Sequence, residues 1–260
     1  MELWTPQHAM TLLPSLAVMV VVGLFLRFLI GKKPLKIRII PVQILAVILV
    51  ILEIGKQTIS IIRGYDLYHI PLHFCSLFIF TLPAMAFYRG KWMQNVFAIT
   101  SALCAAVFAL MLIYPNLIYS PGNIQNFFGD FLDFHTVAFH NIVMLAFVLI
   151  VCLELHTPVA KGELKAICLF MVGFCSVAAI MAQILKTNFA NFYSCNIPIF
   201  EALRNALQPV LGNVITQLLY ILVVALMHIL FVDGCYLAYR SLARALQCRS
   251  KSPELLQEEL

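Results

Sequence analysis

The sequence predicts an all-α fold: a polytopic membrane helical bundle of about seven transmembrane helices, with its N-terminus out and its C-terminus in. Three observations predict it. Of the 260 residues, 62% are hydrophobic and 11% charged, with a mean hydropathy of +0.95. That is too little charge to cover the surface of a soluble domain of this length. Apolar runs of roughly 20 residues, the length needed to cross a bilayer, follow one another without strand-like alternation or a Gly-rich phosphate loop. Positive charge, finally, gathers in alternate loops.

Residues 1–240 read as a single transmembrane domain with spans near 9–30, 39–62, 70–88, 93–115, 133–155, 164–186 and 212–239; residues 241–260 read as a cytoplasmic tail. The first span has little positive charge before it and no small-residue cleavage site after it, so it is expected to be retained and not removed as a secretory signal. The second carries Glu53, Lys56 and Gln57, and the third opens on His69-Ile-Pro-Leu-His-Phe-Cys-Ser76. The fourth ends at Tyr114-Pro-Asn116, the fifth contains His135 and His140, and the sixth runs into Thr187 and Asn188. The seventh encloses His228 and leads into the tail, which closes on an acidic stretch from Glu254 to Leu260.

Thirteen of the 17 Lys and Arg side chains fall after spans one, three, five and seven, including Lys32, Lys33, Arg89, Lys161 and Arg240. The other side holds Arg63, Lys186 and Arg204, with Lys56 inside span two, and this asymmetry sets the orientation. The net charge of +5 is therefore a topology signal, and no nucleic-acid partner is implied. The expected location is the cell membrane. Of eight cysteines, Cys104, Cys152, Cys168, Cys175 and Cys235 sit in apolar runs, as small packing residues do. No pair has zinc-site spacing, so neither metal nor cofactor is expected. The outer segments 116–132 and 187–211 are aromatic and amide-rich, placing Phe127, Phe128, Phe189, Phe192 and Tyr193 at the level of the lipid headgroups.

Ionisable and reactive groups at membrane depth are costly and mark functional sites. In a regular third helix His69 and His73 share one face, while Cys75 lies about 200° around from His73. A histidine partner for Cys75 must then come from another span. Cys75 lies roughly 8 Å below the start of span three and His140 roughly 10 Å below the start of span five. His135 is shallower and faces about 140° away from His140. Glu53, Lys56, Gln57, His73, His135 and Asn188 complete a polar set in the same half of the membrane as Cys75. The plainer readings stand beside this one. Glu53 and Lys56 form a neutralising i,i+3 pair, a lone cysteine packs, and Asn188 satisfies a helix end.

The order of these elements resembles the YwaF family of integral membrane proteins, related to eukaryotic multispan acyltransferases acting on ether phospholipids. Pro71-Leu-His-Phe-Cys-Ser-Leu77 is similar to that family's Pro-Leu-His-Leu-Cys-Ser signature. Tyr114-Pro-Asn116 is similar to its Tyr-Pro-Asp, and Thr187-Asn-Phe189 to its Thr-Asn-Tyr, with Pro198 matching a following proline. The resemblance covers roughly residues 40–230, with departures at Asn116 and Phe189. It implies Cys75 as nucleophile and His140 as base of acyl transfer on membrane phospholipids through an acyl-thioester. Lys56 or Asn188 would then stabilise the oxyanion. Two other functions remain open at this level. One is a small transporter or binding protein whose polar pocket is lined by Glu53, Lys56, His73 and His140. The other is a non-catalytic membrane subunit, with an oligomeric state that the sequence leaves open.

Overall fold

The structure, a computed structural model, describes residues 4–158, 162–194 and 198–255. Among these residues it is all-helical, with no strand: α1 (Pro6–Ile30), α2 (Leu35–Arg38), α3 (Ile40–Ile62), α4 (Phe78–Phe87), α5 (Met93–Ile113), α6 (Pro121–Gln125), α7 (Phe131–Cys152), α8 (Glu163–Leu185) and α9 (Pro198–Leu255). Six stretches are long and apolar enough to cross a bilayer: Pro6–Ile30, Leu35–Ile62, Met93–Ile113, Phe131–Cys152, Glu163–Leu185 and Glu201–Ala245. The protein is a polytopic helical membrane protein.

The centre of the bundle is α5, which packs against α4, α7, α8 and α9, while α3 packs on α4 and α7, and α1 lies along α7. With lipid tails as apolar as leucine, such packing relies on close backbone approach and a few interhelical hydrogen bonds. Gly23 shows the first device: a Cβ there would stand 2.7 Å from Val148 Cγ1, so α1 and α7 close only over a glycine. Thr100 shows the second, its hydroxyl donating to the Thr81 carbonyl (3.0 Å) and joining α5 to α4. Cys104 and Cys175 are fully buried packing residues, as their apolar surroundings imply.

Two segments depart from the expected helices. The regular span expected over 70–88 is broken. Residues 67–69 form a 3-10 turn, residues 74–77 form a second, and the α-helix begins only at Phe78. Pro71 is the reason. It removes a backbone N–H and forces Ile70 into extended geometry (φ −58°, ψ 132°), so no helix runs through the pair. His69 and His73 therefore do not share a helix face, and Phe74–Phe87 is a short apolar helix. The second departure is α9, expected near 212–239 but helical from Pro198, with an elbow at Gly212 (φ 76°, ψ 163°). That conformation is open essentially to glycine alone. Residues 256–260, the end of the acidic tail, lie outside the described residues, as does Lys161.

Opposite the Cys75 end of the bundle, Arg38 Nη1 donates to the Leu153 carbonyl (2.6 Å) and Arg27 Nη2 pairs with Glu154 (2.7 Å). They fasten the end of α7. Beside them His156 Nε2 lies 3.2 Å from the buried Glu163 carboxylate, which also accepts the Tyr236 hydroxyl. Burial holds the His156 imidazole below its ordinary value, against the opposing pull of Glu163. The sequence left this second buried polar cluster unassigned, because Tyr236, which completes it, lies 73 residues from Glu163.

Candidate functional site

The polar residues of α3 converge on one carboxylate. Glu53 Oε1 accepts from Lys56 Nζ (3.0 Å) and Gln57 Nε2 (2.7 Å), the i+3 and i+4 neighbours of the same helix face. From α7, His135 Nε2 stands 3.3 Å from Glu53 Oε2, with both side chains less than 10% exposed. Gln57 continues outward. Its Nε2 also donates to the His69 carbonyl (2.8 Å), and its Oε1 accepts from the Tyr65 hydroxyl (2.8 Å). Glu53 is thus the junction of α3, α7 and the loop that carries the His-Pro-Leu-His-Phe-Cys segment.

The alignment of α3 with α7 is set one turn further out. Asp130 caps α7, its Oδ1 accepting from Leu132 N–H (2.7 Å), while its Oδ2 pairs with Arg63 just past α3 (2.7 Å). The Arg63 guanidinium and the capped N–H groups hold the Asp130 carboxyl below the usual carboxylate range. Asp130→Ala is expected to lower stability by about 1 kcal/mol, as loss of an N-cap does. Thermal unfolding in detergent checks this. Because the folded pKa is depressed, the contribution is present above the unfolded pKa and fades as pH falls through the folded one, so the variant and wild type converge in acid.

His140, one turn and a half further along α7, is held differently. Its Nδ1 lies 2.6 Å from the Thr136 carbonyl, its ring is 7% exposed, and its Nε2 is buried with no hydrogen-bond partner. A carbonyl only accepts, so Nδ1 carries the proton of the neutral ring and Nε2 presents a bare lone pair. His135 Nε2 also makes no aligned hydrogen bond, but it lies within ion-pair distance of the Glu53 carboxylate, and His140 has no such pair among the described residues.

Cys75 sits in the 3-10 turn 74–77 and is half-buried, unlike Cys104 and Cys175. The Lys56 ammonium lies within electrostatic reach of both Cys75 and His140. His73 has its own partners: its Nε2 lies 2.9 Å from the Tyr68 carbonyl, and its ring packs on Tyr68 and Phe189 at 4.3 and 5.6 Å. The contact with Phe189 joins the segment around Cys75 to the 187–192 loop. Phe192 stacks on His228 (5.7 Å), which in turn touches Phe74 (6.0 Å), the residue before Cys75.

That loop is tightly built. Lys186, Ala190 and Asn191 all have positive φ (51°, 46° and 64°), a conformation rare outside glycine and maintained only when the surroundings impose it. Asn188 helps impose it, its Oδ1 accepting from Tyr193 N–H (3.3 Å) and Ser194 N–H (3.1 Å). Its carbonyl oxygen therefore organises the loop. Phe189 and Phe192, expected at headgroup level, are fully buried instead, because they wedge the loop against the Cys75 segment. Phe128, by contrast, is 98% exposed.

Sequence reading missed the polar residues Gln183, Arg204, Thr216 and Gln217, which meet in a cleft beside this loop. They come from three separated stretches of chain, and no local pattern marks them. A family model, described as the TMEM164 family, matches residues 3–232, nearly the whole chain. No curated protein and no solved structure matches it.

Proposed function

The chain belongs to the TMEM164 family, a multispan membrane family, and from that premise we propose that it catalyses Cys75- and His140-dependent acyl transfer on phospholipids of the plasma membrane. The observation that carries the proposal is the His140 ring: a buried imidazole whose Nδ1–H is fixed by Thr136 and whose Nε2 has no partner. That is the state a general base for a thiol requires. The half-buried Cys75 and the field of the Lys56 ammonium, which reaches both groups, support it. So do the strained loop packed on the Cys75 segment and the Pro71–Leu77 resemblance to the YwaF signature.

In the proposed reaction Cys75 Sγ attacks the carbonyl carbon of a phospholipid ester while its proton passes to His140 Nε2. The carbon–oxygen bond to glycerol breaks, and the glycerol oxygen takes the proton from His140 and leaves as a lysophospholipid. The acyl group remains as a thioester. A second lysophospholipid then gives its hydroxyl proton to His140, its oxygen attacks the thioester, and the departing thiolate recovers the proton. The Lys56 ammonium has three donors, of which Glu53 engages part, and in this reading a remaining one stabilises the oxyanion. Glu53, Gln57 and His135 act as positioning residues, since their bonds are spent on one another and on the loop.

The test uses purified protein in nanodiscs containing a phospholipid with a labelled acyl chain, supplied with an unlabelled lysophospholipid. Label is expected in the acceptor at a rate proportional to protein. Label that moves neither to acceptor nor to water, over a panel of headgroups and chain lengths, refutes the reading.

A further inference from the structure

We propose that the outward face shared by α8 and α9 is a dimer interface, at which Asp233 of each protomer pairs with Lys165 of a second copy. The two helices pack on each other. α9 turns Tyr220, Val224, Val232 and Tyr236 into the bundle, so its other side looks out. That side carries Leu219, Val223, Leu226, Leu230, Asp233 and Leu237, at alternating spacings of four and three residues. This is the spacing of a coiled-coil seam. Its five apolar members are 40–60% exposed.

Asp233 breaks the apolar run of this seam. It lies within Glu201–Ala245, a stretch apolar enough to span a membrane. Its Oδ1 is buried with no hydrogen-bond partner, and it belongs to none of the ion pairs among the described residues. A carboxyl group among leucines at the lipid face is costly, and such groups pair with a base or line a polar path. Here there is no polar path, since the neighbours along the seam are Leu230 and Leu237. What the carboxylate lacks is a cation at its own depth.

Lys165 supplies one on the same surface. It heads an exposed stripe of α8, with Leu169, Val172 and Ser176, again at spacings of four and three. It too belongs to no ion pair among the described residues. The two groups stand at one level. The Tyr236 hydroxyl donates to Glu163, which sets this part of α9 beside the first turn of α8. Lys165 lies two residues into the membrane from Glu163 and Asp233 three from Tyr236, so each is displaced in the same direction by about 3–5 Å at 1.5 Å per residue. A two-fold axis along the bilayer normal keeps every residue at its depth. It therefore sets Asp233 against Lys165 twice, once in each direction. A face that holds both charges of the pair is complementary to itself, which favours a second copy over an unrelated partner. The inference does not depend on the acyl-transfer reading.

The test is dimer formation by the full chain in liposomes, with one dye per chain, read by single-molecule photobleaching over a dilution series in lipid. Wild type is expected to bleach in two steps, with the two-step share falling on dilution. Asp233→Lys and Lys165→Asp each set like charges together and should raise the dissociation constant by about tenfold or more, because two interhelical polar contacts are lost at once. Mixed in equal amounts and labelled in two colours, the two variants should form heterodimers as tightly as wild type forms its dimer. One variant then presents two cations and the other two anions, so both pairs return. One-step bleaching by wild type at every dilution overturns the dimer, and co-purification of a different membrane protein with that monomer gives the face to the other protein. Single variants that dimerise as wild type does overturn the pairing. So does a mixture without heterodimers when each variant melts at the wild-type temperature. If Asp233→Lys does not fold, the exposed Lys165→Gln decides: it should weaken the dimer, and a dimer it leaves unchanged overturns the pairing.

Discussion

Cys75→Ala is expected to bring acyl transfer down to the uncatalysed background, and His140→Gln to lower it by about 10²–10⁴-fold, the usual contribution of a general base. Both losses should appear in kcat with KM little changed, since neither group is assigned to hold the ground-state lipid. The asymmetry follows from their roles. Without the thiol no covalent intermediate forms, whereas without the imidazole a small fraction of thiolate still reacts. His135 makes an internal control. It is on the same helix and also buried, but it faces Glu53. His135→Gln should therefore act mainly through stability, and steady-state kinetics compared with melting temperature separates the two. Activity retained in Cys75→Ala would remove the chemistry altogether.

Glu53→Ala is expected to destabilise the protein by about 3–5 kcal/mol. Removing one partner of a buried ion pair leaves the other charge uncompensated in a low-dielectric interior. Here the loss strands Lys56 and frees Gln57, and with it the hydrogen bond to the His69 carbonyl that steadies the Cys75 loop. Thermal unfolding should move down by about 10 °C. The control is a double replacement, Glu53→Leu with Lys56→Met, which removes both charges at similar volume and should recover much of the lost stability. Recovery of transfer along with stability would exclude Lys56 as the oxyanion donor, and a single variant as stable as wild type would contradict the structural account.

The class of the protein was legible because composition and run length are set by the bilayer, independently of tertiary detail. The Glu53–Lys56–Gln57 cluster was legible for a similar reason: i+3 and i+4 spacing on a helix is local geometry. The departure at the third span had its signal in plain view, since Pro71 forbids the helix that placed His69 and His73 on one face. In the structure His73 turns to Tyr68 and Phe189. Phe189 and Phe192 were placed at the headgroups on residue type alone, whereas the strained loop that carries them folds inward. The α9 cleft had no signature at all. Gln183, Tyr193, Arg204 and Thr216 meet only because Gly212 bends the helix, and a lone glycine in an apolar run does not announce an elbow.

The most direct measurement is intact-protein mass spectrometry after incubation with an isotopically labelled phospholipid and no acceptor. The account predicts a mass increase of one labelled acyl chain per protein, mapped to Cys75, released by neutral hydroxylamine as a thioester is, and discharged on adding lysophospholipid. Transfer of label that proceeds while Cys75 remains unmodified at every time point would contradict it.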